Sequence, residues 1–298
     1  MSRLLKHAQF SLSSLAKRIK AYEEGNYLDL DILFQKGEEA PIFPGDIVLI
    51  VGDSGSGKTA LMQNITLQSD LPTIYVSPEV SPSLMMRRNM QILSNKPKYY
   101  IHANYKELAS EYKNELNNFY TLGHGINENT LIDEYEQAMQ QINVEQIVLD
   151  HMKIMDLDFH QIRGSLENLA VALKKFAVKH QVIIWMVSQI PKGATKQNFY
   201  KGKNREIELT DAAEASGLYQ IADVGVTISL PNGINNASRV LSIKKGRDMN
   251  ASAFQRVPFI QNQKSFRYER TNKQSENRRD YVNEVASQQS NTMFNQEK

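Results

Sequence analysis

The eight residues from Gly52 to Thr59 read GDSGSGKT, a sequence whose residue types and spacing suit the binding of a nucleoside triphosphate. Its glycines allow the backbone to curl so that successive N–H groups point at phosphate oxygens. Lys58 is placed to reach the β and γ phosphates, and the hydroxyl of Thr59 is placed to bind Mg²⁺. We therefore predict a site for ATP and Mg²⁺ formed by Gly52, Asp53, Ser54, Gly55, Ser56, Gly57, Lys58 and Thr59.

The residues on either side of this loop predict the elements that hold it. Ile47 to Val51 is a continuous apolar run, typical of a strand buried on both faces. Ala60 to Leu67 carries helix-compatible residues, with its apolar members toward one side. A glycine-rich turn alone would more often be an ordinary loop. A strand, the full motif and a helix in succession favour a phosphate-binding loop at the positive end of the helix.

Polar residues at the ends of further predicted strands could complete the site. Glu79, Asp150 and Gln189 follow apolar runs at residues 73–77, 144–149 and 182–187. An apolar strand closed by an acid is the Walker B arrangement, so Asp150 is predicted to support Mg²⁺. Gln189 could bond the γ phosphate or the attacking water. The alternative for Glu79 is a helix cap or a surface charge, and many strands end in Asp without such a role.

A basic segment follows Gln189, and we call residues 192–205 the basic loop. Phe199 and Tyr200 lie among its charges. Basic residues neutralise phosphates and aromatic rings stack on bases, so this composition predicts binding of single-stranded DNA. The alternative is a solvated loop without a ligand. The residues predicted to contact DNA are Lys192, Lys196, Lys201, Lys203 and Arg205.

Composition limits the remaining possibilities. The 298 residues carry a net charge of +2, too small for a protein coated in nucleic acid, so contact with DNA needs a local patch. The chain has no cysteine and its His residues lack ligand spacing, so we expect no metal beyond the Mg²⁺ of the nucleotide. No apolar run approaches the roughly 20 residues that cross a bilayer. We expect a soluble, cytoplasmic protein without a membrane partner.

The pattern along the chain predicts an α/β fold. Strands that alternate with helices and then follow one another indicate a mostly parallel sheet flanked by helices, with C-terminal antiparallel strands. This is the architecture of a RecA-like P-loop NTPase. We expect an N-terminal amphipathic helix and linker at 1–38, the ATPase core at 39–270, and a disordered polar tail at 271–298. Further helices are predicted at 106–118, 130–141 and 165–180, and further strands at 119–122, 223–230, 239–244, 257–260 and 266–268.

With Glu79, Asp150, Gln189 and the triplet KGR at 245–247 in this order, residues 40–270 resemble the hexameric replicative helicases of the DnaB type. The chain looks most similar to the helicase half of bacteriophage primase-helicases and of mitochondrial Twinkle. The most specific segments are VSPEVSPSLMMRR, IVLDHMKIM, LTDAAEASGLYQIADVGVTI and SIKKGRDM.

The resemblance implies roles for individual residues. Glu79 would be the general base that orients or deprotonates the attacking water. Gln189 would sense the γ phosphate. Lys245 and Arg247 would form a finger, supplied by the next subunit, that neutralises charge in the transition state. The basic loop would line the channel of the ring and grip single-stranded DNA.

The resemblance also implies a function: an ATP-hydrolysing hexameric DNA helicase for phage or plasmid replication, located in the bacterial host cytoplasm if phage-encoded. Tyr219 stands where many relatives carry an acid, and Gly246 stands where Gln is often seen. No primase or zinc module precedes the core, so we expect a separate primase or loader as partner. A RecA-like DNA-binding ATPase without unwinding activity, such as a recombinase or loader, and a small-molecule kinase are the alternatives.

Overall fold

The computed structural model describes residues 41–122, 130–151, 162–190, 207–211, 216–231, 233, 235–247 and 256–270, together with residues 16, 19 and 20. The basic loop and the tail predicted at 271–298 lie outside the described residues, as does nearly all of the segment predicted at 1–38. The interpretations of these three segments therefore stay predictions.

Strands and helices alternate in the described part of the chain and give way to consecutive strands near its end. The strands are β1 (Ile47–Gly52), β2 (Thr73–Val76), β3 (Phe119–Leu122), β4 (Gln146–Leu149), β5 (Ile183–Gln189), β6 (Val224–Ser229), β7 (Ser238–Gly246), β8 (Arg256–Gln261) and β9 (Tyr268–Arg270). The helices are α1 (Lys58–Ser69), α2 (Pro82–Ser94), α3 (Lys98–Glu111), α4 (Lys113–Asn117), α5 (Leu131–Met139), α6 (Ile162–His180) and α7 (Ser216–Ile221), and Leu209–Asp211 forms one 3-10 turn.

All nine strands belong to one sheet in the order β3-β2-β4-β5-β1-β6-β7-β8-β9. The strands β1 to β6 are parallel, and β7, β8 and β9 extend the sheet antiparallel. Parallel strands end at the same side, so the sheet has a carboxyl edge, which contains Gly52 and Gln189, and an amino edge, which contains Ile47 and Ile183.

Helices cover both faces of the sheet, as the continuous apolar strands require. On one face, Val48, Ile50 and Trp185 pack with apolar residues of α1 and α2. On the other face, Leu49 and Val51 pack with apolar residues of α5, α6 and α7. The described residues contain no helix that is long and apolar enough to cross a membrane.

Two predicted elements are placed differently in the structure. Helix α3 begins at Lys98 rather than at residue 106, and it contains a kink at Asn104. It buries few side chains, Ile101 and Leu108 among them, so its apolar stripe is too sparse to predict its start. The last strand begins at Tyr268 rather than at residue 266, because Phe266 closes a tight turn, where its N–H donates to the carbonyl of Asn262 at 2.7 Å.

Candidate nucleotide-binding site

The loop from Gly52 to Thr59 connects β1 to α1 at the carboxyl edge, as its sequence predicts. Gly55 and Gly57 have φ angles of 76° and 96°, in the left-handed region that side chains rarely adopt. At Gly52, an added Cβ would clash with Cγ2 of Ile228 on the neighbouring strand β6. Glycine is therefore needed for the turn at two positions and for close packing at a third.

Lys58, the first residue of α1, folds back over this loop. Its ammonium donates to the carbonyls of Gly52 at 2.9 Å and Asp53 at 2.7 Å. Burial lowers the pKa of Lys58 to about 8, although Asp150, Asp53 and Glu79 oppose this shift. The cation lacks a carboxylate in ion-pair contact among the described residues, and a bound phosphate would supply the missing negative charge.

Asp150 directly follows β4 and lies beside the loop. The hydroxyl of Tyr75 donates to its Oδ2 at 2.8 Å, and the hydroxyl of Thr59 also bonds the carboxylate. Burial raises the pKa of Asp150, and these hydrogen bonds, His151 and Lys58 oppose the shift. The carboxylate and the Thr59 hydroxyl are adjacent oxygen donors of the kind that Mg²⁺ prefers, and a cation there would stabilise the buried charge.

Magnesium would be held jointly by the protein and the nucleotide. In the described part of the chain, no three His, Cys, Asp or Glu side chains cluster to hold a metal by themselves. The site thus fits the usual behaviour of Mg²⁺, which binds through one or two protein oxygens together with substrate phosphates.

Glu79 and Gln189 reach the same edge from β2 and β5. The Glu79 side chain is 52% exposed, and its Oε2 lies 3.8 Å from Nδ1 of the buried His151. Gln189 pairs in register with Gly52, so its side chain begins beside the entrance of the phosphate loop. The three predicted polar residues Glu79, Asp150 and Gln189 therefore lie at the carboxyl edge, at or just past the ends of β2, β4 and β5, which are all on the same side of β1.

Lys245 and Arg247 lie elsewhere. Ile228 of β6 pairs with both Gly52 and Leu241, whereas Gly246 pairs with Val224 at the start of β6. The KGR triplet is therefore at the amino edge, roughly 16 Å along β7 from the level of the phosphate loop, at a rise of about 3.3 Å per residue. Lys245 and Arg247 do not join the cluster within their own chain.

Both basic side chains of this triplet contact their own chain at the amino edge. Arg247 donates to Oδ1 of Asp223 at 3.1 Å and to the carbonyl of Gln220 at 2.6 Å. Lys245 donates to the carbonyl of Tyr219 and lies 4.5 Å from the centre of that ring. The aromatic ring of Tyr219 thus contributes a cation–π contact to Lys245.

Several residues that support the site are not indicated by their local sequence. Tyr75 lies within a predicted strand, but nothing local indicates that its hydroxyl reaches Asp150, 75 positions away. Asp223 is 6% exposed and accepts from Lys174 at 2.6 Å as well as from Arg247. Asp223 is an acid at the start of a strand, and this position could have indicated a buried carboxylate at the amino edge. Such a carboxylate needs cationic or N–H partners.

Comparisons with known proteins agree with this geometry. The family model described as "ATPase: KaiC" matches residues 29–264. The ATPase domain of a phage helicase superposes with a TM-score of 0.71 at 16% identity, over 88% of this chain and 98% of that chain. A structure described as a DnaB-like replicative helicase and its interactions with primase gives a TM-score of 0.64 at 16% identity, over 76% of this chain and 57% of that chain. No curated protein sequence matches the chain.

These comparisons confirm the predicted RecA-like α/β fold. They also confirm that the chain resembles ATPase domains of the DnaB type, and at 16% identity this likeness is one of fold. A likeness of fold assigns no role to an individual residue.

Proposed function

The chain belongs to the KaiC-type ATPase family, and on that premise we propose that it is an ATP-driven motor that translocates on single-stranded DNA and separates the strands of a duplex. One observation carries the proposal. The phosphate loop, Glu79, Asp150 and Gln189 meet at one edge of the sheet, whereas Lys245 and Arg247 lie at the opposite edge. Because Lys245 and Arg247 lie at the edge opposite the phosphate loop, they can complete an ATPase site only in a neighbouring subunit. A ring of subunits provides such neighbours.

Hydrolysis follows from the chemistry at the carboxyl edge. The loop N–H groups and Lys58 bind the phosphates, and Thr59 and Asp150 would hold Mg²⁺, which would neutralise negative charge on the phosphates. Glu79 is exposed enough to contact a water molecule and acts as the general base. Gln189 bonds the γ phosphate or that water, and it directly precedes the segment that leads into the basic loop.

Arg247 acts in the site of the neighbouring subunit. In its own chain it is held by Asp223, which fixes the guanidinium at the edge of the sheet while leaving the side chain 49% exposed. Arg247, together with Lys245, would neutralise charge that develops on the transferred phosphoryl group of the next subunit. This arrangement couples each hydrolysis event to the contact between two subunits, as a ring motor requires.

Assembly and partners follow from the same proposal. The ring is a hexamer that encircles single-stranded DNA, and the basic loop supplies phosphate contacts in its channel. One of the similar structures is described together with primase, and we infer a separate primase or loader here as well. Another similar structure is the ATPase domain of a phage helicase, and we infer replication of phage or plasmid DNA in the cytoplasm of a bacterial host as the setting.

A second function has one observation in its favour. Lys245 is engaged by the carbonyls of Tyr219 and Gln220 and by the ring of Tyr219, all in its own chain. A finger residue held in this way suits a RecA-like ATPase that assembles on DNA, such as a recombinase or loader, without separating strands.

ATP hydrolysis measured with and without single-stranded DNA tests the proposal. We expect DNA to raise the turnover of the wild-type protein, and Lys58→Ala to remove both basal and stimulated turnover. A rate of ATP hydrolysis that does not change when DNA is added would contradict a DNA motor. It would favour an enzyme that acts on a small molecule. Stimulation without strand separation would favour the second function.

A further inference from the structure

A buried guanidinium lies behind the phosphate loop. Arg239 of β7 is 4% exposed, and its Nε donates to the carbonyl of Ser56 at 2.9 Å. Its Nη1 donates to the carbonyls of Asn236 and Ser238. No carboxylate of the described residues pairs with Arg239. Burial lowers its pKa, and a nearby tyrosine, Tyr268, opposes the shift.

Tyr268 of β9 supports the next peptide of the loop. Its hydroxyl donates to the carbonyl of Gly57 at 3.2 Å and is also hydrogen-bonded to Arg239. An added Cβ at Gly57 would clash with this hydroxyl. The backbone N–H of Tyr268 donates to Asn64 of α1 at 3.0 Å, so the strand is fixed to the helix that the loop enters. Strands β7 and β9 therefore contact the loop directly, and we call the side that they contact the rear of the loop.

These contacts fix the directions in which the peptide groups of the loop point. The peptides of the loop are trans, and in a trans peptide the C=O and the following N–H point in opposite directions. Arg239 holds the carbonyl of Ser56 on the rear side, and the carbonyl of Gly57 accepts there both from Tyr268 and from the backbone N–H of Leu61 at 2.8 Å. The N–H groups of Gly57 and Lys58 must then point to the front. The front is where the phosphates would bind.

We propose that Arg239 and Tyr268 are positioning residues for nucleotide binding, which hold two successive peptides so that the N–H groups of Gly57 and Lys58 stay aimed at the β phosphate. The guanidinium adds a fixed positive charge behind these donors. Both side chains come from strands that follow the site by more than 170 positions. The proposal rests on the nucleotide site described above and does not depend on DNA unwinding.

Three variants test the proposal by nucleotide affinity. Arg239→Met removes the charge and the donors, Arg239→Lys keeps the charge, and Tyr268→Phe removes a single hydroxyl. The loop binds the β phosphate equally in the ground state and in the transition state, so the KM for ATP should rise while kcat stays within about twofold. We expect a rise of about tenfold for Arg239→Met, consistent with loss of a hydrogen bond from a charged group, and of a few-fold for Tyr268→Phe and Arg239→Lys.

Gln146→Leu is the matched control. Gln146 is fully buried at the amino edge, and it donates to Ser69 and Thr73 and accepts from Trp185 at 3.1 Å. Its loss should lower the thermal midpoint without nucleotide, as the Arg239 variants also do, and should leave the KM unchanged. This comparison separates an effect on the loop from a general loss of stability.

The outcomes are distinguishable. A raised KM and a weaker ADP dissociation constant in the Arg239 and Tyr268 variants, with the control unchanged, support the proposal. An unchanged KM in Tyr268→Phe and in whichever Arg239 variant folds would overturn it, and so would an equal rise in Gln146→Leu. Absence of ADP binding by the wild-type protein would instead refute the nucleotide site itself.

Discussion

Lys58 and Arg247 lie at opposite edges of one sheet, with β7 running between the two levels. Lys58 begins the helix at the carboxyl edge, and the backbone N–H of Arg247 donates to Asp223 at the amino edge at 3.0 Å. A rigid sheet cannot bring these two cations to one phosphate. An ATP site that uses both must therefore combine two chains.

Mixing two inactive variants tests this combination. Glu79→Gln and Arg247→Ala should each be nearly inactive, because loss of a trans-acting arginine costs on the order of 10³ in rate in related phosphoryl-transfer sites. In mixed rings, some sites pair the intact Glu79 of an Arg247→Ala subunit with the intact Arg247 of its neighbour. ATPase activity should return in proportion to those sites.

Lys58→Ala mixed with Glu79→Gln is the matched control for the mixing experiment. Both of these residues belong to the same edge of the same chain, so no mixed site receives both intact. This pair should show no recovery. Rings shown by mass to contain both variants, yet without recovery in the Glu79 and Arg247 pair, would contradict the trans-acting assignment.

Glu79→Gln separates binding from catalysis. The amide keeps the size of the side chain but cannot accept a proton, so ATP should still bind while turnover falls by orders of magnitude. Equilibrium binding of labelled ATP and single-turnover hydrolysis measure the two steps. Glu107→Gln, an exposed change of the same kind on α3, should leave both unaltered. Persistent turnover in Glu79→Gln would mean that another group is the base.

Lys58 should make the stability of the nucleotide-free protein depend on pH. Its pKa is about 8 in the folded protein and 10.5 when unperturbed, so between these values the unfolded chain binds more protons and stability rises with pH. Relative to Lys58→Met, which cannot titrate, the wild-type free energy of unfolding should increase by up to about 3 kcal/mol across this window. Urea unfolding at several pH values measures the difference. A difference that is flat or falls with pH would contradict the burial of a lowered-pKa lysine.

The basic loop should control the salt dependence of DNA binding. Replacing Lys196, Lys201, Lys203 and Arg205 by Ala should weaken single-stranded DNA binding and flatten its dependence on salt, by roughly 0.7 in logarithmic slope per lost contact. A control with equal loss of charge replaces four exposed lysines elsewhere, Lys98, Lys113, Lys175 and Lys264. Equal slopes of DNA affinity against salt for the two variants would mean that the basic loop is an ordinary solvated segment.

The parts of the site that depend on local pattern are predictable from the sequence. The phosphate loop is contiguous, and Glu79, Asp150 and Gln189 each follow an apolar strand, so their common edge follows from the parallel arrangement alone. The start of helix α3 is predicted too late, because Tyr99 and Tyr105 are exposed where an amphipathic helix usually has polar residues.

The support behind the loop could not be predicted, because it depends on pairings between distant segments. Arg239 and Ser56 are 183 positions apart, and Tyr268 and Gly57 are 211 apart. Arg239 looks like an exposed residue at the start of a strand until the order of β6, β7 and β8 is known. The burial of Arg239 results from the order of these strands, which the local periodicity of the sequence does not predict.

Strand separation on a forked duplex measures helicase activity itself. A fluorophore and quencher on the two strands report unwinding with ATP, and Lys58→Ala serves as the control that lacks hydrolysis. We expect ATP-dependent separation by the wild-type protein and none by Lys58→Ala. Wild-type protein that hydrolyses ATP in response to single-stranded DNA but leaves the fork intact would contradict the helicase assignment and would identify a DNA-binding ATPase instead.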